Sequence, residues 1–241
     1  NKNYATIKKA KPKVSKNSSG YNLWDVWDKE IFDMTKLFVG AQGTLGIVTE
    51  VTCKLEKVKK HKGMVVVFCK DLKPVINLVH AILPANPTSF ESFDDHTLRL
   101  ALKFFPGFLK SMGAKNIFTL GLQFIPEFWH VLTRGLPRLV LLVEFEEDRM
   151  DIVEEKIRVV KEQLARFPVT VKSSVDPTTI KKYWLIRRES FILLRNRVKN
   201  LQTAPFIDDF IIQPEQLKQC LPKIIKILEK NNLLYTIIGH I

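Results

Sequence analysis

RLVLLVEFEED, Arg138 to Asp148, is an unbroken run of leucine and valine that ends in acidic residues. Such a run predicts a strand, the clearest in the chain. MVVVFCK (Met64–Lys70) repeats the pattern. Between these two strands, DLKPVINLVHAIL (Asp71–Leu83) carries apolar residues at helical spacing, with Asp71 as N-cap and Pro74 in the first turn. TSFESFD (Thr88–Asp94) alternates and predicts another strand. His96–Met112 has a helical pattern that Pro106 and Gly107 must bend, and Ile117–Thr133 is apolar without a clear period. On the C-terminal side, Asp151–Phe167 is an amphipathic helix with Ile152, Val153, Ile157, Val160 and Leu164 on one face. VTVKSS (Val169–Ser174) is a short strand, and Asp176-Pro177 opens a helix to about Leu194. Phe206–Ile212 is a strand, Pro214–Asn231 a helix and Leu233–Ile241 a last strand. Short strands, intervening helices and long connections predict an α+β fold. They favour a ferredoxin-like sheet with helices on one face over a doubly wound parallel sheet.

The N-terminal part is different. Residues 1–36 are polar and irregular, and Leu37–Gly40 predicts a short strand. In LFVGAQGTLGIVTEV (Leu37–Val51) three glycines, Gly40, Gly43 and Gly46, are spaced three apart before a β-branched run. Glycine lets another surface approach the backbone closely. Gly43–Leu55 therefore reads as a loop entering a strand, and LEKVKKHKG (Leu55–Gly63) as a charged connector between domains.

Composition narrows the function classes. With 241 residues, 46% of them hydrophobic, the chain can bury a core. The longest apolar run, Leu136–Phe145, is interrupted by Pro137 and Arg138 and is too short to span a bilayer. The first residues carry no apolar signal region. Three scattered cysteines, Cys53, Cys69 and Cys220, match no metal or disulfide framework, which points to a reducing, cytoplasmic setting. The net charge of +13 is spread along the chain. Its one dense cluster, Lys8–Lys16, lacks the aromatic interleaving of a single-strand binder, so no nucleic-acid partner is expected. No GxSxG, P-loop or GxGxxG motif is present. The absence of an initiator Met and the abrupt TIIGHI ending read as a fragment of a longer protein.

GYNLWDVWDKEIFDMTKLFVGAQGTLGIVTEVTCKL (Gly20–Leu55) resembles the end of the FAD-binding domain of FAD-linked oxidases of the vanillyl-alcohol oxidase type. These carry a GYDL…LFVGSEGTLGIIT segment, and Gln42 stands here where glutamate is common. The C-terminal half resembles the C-terminal domain found in D-lactate dehydrogenases, the glycolate oxidase flavin subunit and D-2-hydroxyglutarate dehydrogenase. Its landmarks come in order: a W-x-x-R-[KR] pattern at Trp184–Arg188, the FIDDFIIQPEQL stretch with Asp208 and Asp209, and a final GHI like the start of a GHxGDGNxH motif. The resemblance implies the C-terminal portion of an FAD-binding domain over residues 1–58 and a truncated ferredoxin-like substrate, or cap, domain over residues 59–241. The family's N-terminal pyrophosphate-cradling loop and the second half of the GHxGDGNxH motif are absent from these residues.

The resemblance also implies roles. Gly40, Gly43, Thr44, Leu45, Gly46 and Ile47 would pass along the flavin of FAD. Arg187, or its neighbour Arg188, would clamp a substrate carboxylate bidentately, as a guanidinium is suited to do. His240 would contact the substrate hydroxyl or, in the intact protein, ligate a divalent metal such as Zn or Mn. The activity implied is oxidation of a small D-2-hydroxy acid, of the D-lactate or glycolate type, by hydride transfer to flavin. A quinone or redox protein would accept the electrons, and the basic surface is compatible with peripheral membrane association. The alternative is a cap or interaction module with no flavin or catalysis of its own. Glu144 and Glu146 share a strand face but read as a solvated strand end. His61, His80, His96 and His130 have no partner at ligand spacing and read as structural.

Overall fold

The computed structural model describes residues 2–14, 16–17, 19–103, 135–197 and 210–241. It divides into two compact units, Asn1–Lys57 with Ile207–Gln216, and Val58–Phe206 with Leu217–Ile241.

In the first unit, helix α1 (Tyr4–Lys9) sits edge-on against Trp27 through Tyr4, with ring centres 5.3 Å apart. Lys8 Nζ donates to the Trp24 carbonyl at 2.7 Å. A one-turn helix, α2 (Thr35–Phe38), takes the place of the strand expected at Leu37–Gly40. Asp33 explains the difference: its carboxylate accepts from the Thr35 amide and hydroxyl and so starts a helical turn. Gly43–Leu55 does not form the expected strand either. Val48, Val51 and Leu55 are exposed, at 60%, 67% and 88%. A β-pattern becomes a strand only by pairing, and no described segment of this unit pairs with it.

The described residues of the second unit form a five-stranded antiparallel sheet with flanking helices. Its strands are β1 (His61–Cys69), β2 (Ser89–Asp94), β3 (Leu139–Glu147), β4 (Thr170–Ser174) and β5 (Ile238–His240), in the order β4-β1-β3-β2-β5. Helix α3 (Val75–Ile82) joins β1 to β2, and α4 (Asp95–Lys103) follows β2 directly. Helix α5 (Met150–Leu164) joins β3 to β4. Among the described residues, helices α6 (Pro177–Arg197) and α7 (Leu217–Lys230) follow before β5. Both β1 and β2 run antiparallel to β3, so β1-α3-β2 is a split βαβ unit with β3 inserted. By the same logic β3-α5-β4 is a second one, with β1 inserted. Two interleaved split units in the order β4-β1-β3-β2 make the ferredoxin-like sheet that the alternation in the sequence implies.

The two continuous apolar strands lie at the centre, where both faces are covered. Val65, Val67 and Cys69 of β1 and Leu141, Val143 and Phe145 of β3 pack under α3 and α5. Met64, Val66 and Phe68, with Val140 and Leu142, face the other way, onto α4 and α6. The expectation of helices on one face thus covers only half of the layering. The second helical layer was hidden because α6 (PTTIKKYWLIRRESFILLRNR) has no single apolar stripe in its sequence. The strand expected at Leu233–Ile241 shortens to the three residues that pair with β2. Phe210–Ile212 has no regular structure. Residues 206–209, the Pro106–Gly107 bend and the Ile117–Thr133 segment, His130 included, lie outside the described residues.

Candidate functional site

The sheet face under α4 and α6 carries two acidic side chains. Strand parity puts Glu91 of β2 on this face with Phe93, and Glu144 of β3 with Leu142 and Val140. Glu91 pairs with Leu142 on one side and His240 on the other, so the three residues form one row across β3, β2 and β5. Both carboxylates are almost fully buried, at 6% exposure each. Buried carboxylates need partners, and α6 supplies them.

Trp184 and Arg187 are three residues apart on α6 and therefore share a face. The Trp184 indole N–H donates to Glu144 Oε2 at 2.5 Å. Arg187 Nη2 lies 2.7 Å from Glu91 Oε2. His240 Nδ1 lies 2.6 Å from the other oxygen, Oε1. The arginine and histidine singled out in the sequence, more than 50 residues apart, thus converge on one glutamate. The Arg187–Glu91 contact is close but not aligned as a hydrogen bond. Glu91 Oε2 and Arg187 Nε are buried and have no hydrogen-bond partner among the described residues. Such unfilled polar capacity in a buried spot needs a reason, and a polar ligand is one. Arg188, the next residue on the helix, is exposed and turned off this face.

Glu91 was missed in the sequence, although a signal was there. A glutamate inside a strand whose flanking phenylalanines, Phe90 and Phe93, pack in opposite layers must itself be buried, and buried glutamates are almost always paired. Glu144 corrects the expectation of a solvated strand end. Only Glu146 and Glu147 reach the rim, where they pair with Lys62 and Lys156. Asp208 and Asp209 lie outside the described residues.

Burial raises the Glu144 carboxyl above its ordinary value of 4.5, with the Trp184 hydrogen bond opposing the shift. Burial also raises Asp94, despite its hydrogen bonds. A carboxyl raised on folding makes the native state bind more protons than the unfolded chain, so stability falls as pH rises. We expect the Glu144 contribution to be fully present below pH 4.5 and to be lost as pH rises through the raised value. Thermal unfolding across that range should show a shallower slope for Glu144→Gln, whose amide oxygen still accepts from Trp184. An unchanged slope would assign the pH dependence elsewhere.

β5 holds His240 in place through close contacts. Asp94 ends β2 and takes the Ile237 amide on Oδ2 at 2.9 Å. Its Oδ1 accepts from the Thr97 amide and hydroxyl at the start of α4. Gly239 pairs with Ser92, and a Cβ there would come within 2.8 Å of Ser92 Oγ. Gly239→Val should push β5 away from β2 and carry His240 off Glu91. The expected result is an at least tenfold loss of turnover, partly restored by adding Ser92→Gly. Equal turnover in the single and double variants would rule out that route.

The remaining candidates occupy other positions. His96 stacks on Tyr235 at 4.5 Å. Burial pushes the Cys69 thiol up to about 12, which removes it as a nucleophile. Among the described residues no three His, Cys, Asp or Glu side chains converge as a metal set.

In the first unit, the glycine segment forms an exposed turn. Gly40 and Gly43 have φ of 82° and 75°, the left-handed region that glycine adopts without strain. A Cβ at Gly43 would meet nothing within 4 Å, so the space beside this backbone is open. Thr44 is fixed by its hydroxyl, which bonds the Ala41 carbonyl at 2.5 Å and Tyr21 Oη at 2.8 Å. Leu45, Gly46 and Ile47 continue the exposed segment.

The Arg187–Glu91–His240 cluster beneath α6 is the candidate site of this chain. The chain belongs to the family of FAD linked oxidases, whose C-terminal domain model matches residues 58–241. FAD is the cofactor this membership implies. The chain is 24% identical over 244 residues to D-2-hydroxyglutarate dehydrogenase of Pseudomonas putida, covering 95% of this chain and 22% of that protein. It is 22% identical to the enzyme of the same name from Escherichia coli, with the same coverages. It is also 22% identical to the mitochondrial D-lactate dehydrogenase [cytochrome] of Arabidopsis thaliana, covering 87% of this chain and 32% of that protein. The chain thus spans about a fifth of the length of the first two relatives. Among solved structures, an alkyldihydroxyacetonephosphate synthase superposes with a TM-score of 0.48 at 16% identity, over 67% of this chain and 28% of that one. Among the described residues no helix is long and apolar enough to cross a membrane.

Proposed function

We propose that this chain is the substrate-handling part, with an adjoining stretch of the flavin-binding part, of an FAD-dependent dehydrogenase of small D-2-hydroxy acids. The observation that carries this reading is the convergence of Arg187 and His240 on Glu91. Arg187 places one nitrogen on Glu91, and its partly exposed side chain offers the guanidinium to the carboxylate of the substrate. Holding the carboxylate fixes the neighbouring carbon, which bears the hydroxyl, and so supplies orientation as well as affinity. His240 takes the hydroxyl proton on its free nitrogen. The chemistry supplied by bound FAD is acceptance of the hydride from that carbon. Gly40 and Gly43–Ile47 present backbone groups to the flavin, and a quinone or redox protein reoxidises it.

The test is the visible spectrum of the protein expressed from its complete gene, before and after anaerobic D-lactate, glycolate or D-2-hydroxyglutarate. Flavin bands that bleach with one acid support the reading and name the substrate. Bands that persist with all of them overturn the substrate class. Absence of flavin after reconstitution with FAD overturns the flavoprotein reading and favours an interaction module.

A further inference from the structure

We propose that Glu91 is a positioning residue that fixes the tautomer of His240, leaving Nδ1 protonated and Nε2 as the proton-accepting atom. This rests on the reading of His240 as the base of the reaction, but the geometry behind it is independent of the substrate. Glu91 is buried in the middle of a sheet and offers two oxygens. One faces the Arg187 guanidinium at 2.7 Å and the other faces His240 Nδ1 at 2.6 Å. An ionised carboxylate only accepts, so the ring nitrogen facing it is the one that carries hydrogen. A neutral imidazole with hydrogen on Nδ1 has its lone pair on Nε2. That atom has no hydrogen bond to any described residue, and the His240 side chain is 40% exposed, so Nε2 can be reached by a ligand. The guanidinium on the far side holds the carboxylate in line and opposes its rotation toward solvent.

The same asymmetry makes the proposal testable by one substitution. In Glu91→Gln the side-chain amide has one accepting and one donating end. Arg187 can only donate, so the amide oxygen turns to Arg187 and the NH₂ group faces Nδ1. Nδ1 must then accept, hydrogen moves to Nε2, and the base is lost although shape and volume are kept. The experiment uses the full-length flavin-loaded protein with ¹⁵N-labelled histidine. It reads which His240 ring nitrogen carries hydrogen, with the resonance assigned by its loss in His240→Asn.

The parent protein should show hydrogen on Nδ1 and the Gln variant hydrogen on Nε2. In the Gln variant kcat should fall about 10- to 100-fold, the usual range for loss of a supporting partner, while KM changes little because Arg187 remains. Glu91→Asp should restore the parent tautomer and part of the turnover. Hydrogen on Nε2 in the parent overturns the proposal, even if no variant folds. A tautomer that does not move in Glu91→Gln also overturns it, whatever the turnover, because a merely structural role predicts that result. A tautomer that moves with kcat unchanged overturns the positioning role in catalysis. A tautomer that moves in a protein that oxidises no hydroxy acid upholds the positioning of His240 and defeats the substrate reading instead.

Discussion

Arg187→Ala in the intact protein is expected to lower kcat/KM for the hydroxy acid by about 10²- to 10³-fold. Truncating one partner of a desolvated, hydrogen-bonded charge pair costs about 2–5 kcal/mol, and each 1.4 kcal/mol is about a factor of ten. Most of the loss should appear in KM, with a further fall in kcat because the carboxylate no longer fixes the reacting carbon. The same change leaves Glu91 buried without its cation, so the variant should also be less stable. Arg187→Lys separates the two effects. It keeps a charge near Glu91 but cannot bind a carboxylate bidentately, so it should recover stability and only part of the activity. Arg188→Ala should cost less than Arg187→Ala, since that side chain is exposed and off the sheet face. Steady-state kinetics with thermal unfolding on the same samples checks all three. Undiminished turnover in Arg187→Ala would sink the assignment of the carboxylate clamp.

Asp94→Ala should produce a large loss of stability. Its carboxylate caps α4 through Thr97 and holds the Ile237 amide at the entry to β5. Losing a cap costs about 1–2 kcal/mol, and orphaning a buried amide about 1–3 kcal/mol. Together these amount to about 3 kcal/mol on thermal or denaturant unfolding. Because Ile237 lies just before β5, the change should also release His240 from Glu91 and reduce turnover. Asp94→Asn keeps an acceptor and should fall between the parent and Asp94→Ala. A variant that loses activity without losing stability would place Asp94 in the chemistry rather than in the support of β5.

The central strands were legible because burial on both faces leaves a continuous apolar run, as in Val65–Val67 and Leu139–Val143. α5 was legible because one of its faces is buried and the other wet, which writes a 3.6-residue period. α6 was legible as a helix from its Asp-Pro opening, but its place in the fold was not. It covers a sheet face partly with Trp184 and Arg187, whose partners are carboxylates rather than leucines. The strands expected at Leu37–Gly40 and after the loop within Gly43–Leu55 do not form, because local pattern records a preference for pairing and not the existence of a partner.

By itself, the sequence determined the strands and helices from Met64 to Ser174 that the structure describes, the ferredoxin-like alternation and a short set of chemical candidates in which Arg187 and His240 stand out. Only the tertiary structure decided that these two meet, that they meet on Glu91, and that Glu144 is buried under Trp184. The physical reason is distance. Periodicity reports on neighbours three or four residues away, whereas the site is built by the order of strands in the sheet. That order brings β2 between β3 and β5, so a strand glutamate becomes the point where a helix arginine and the β5 histidine are joined.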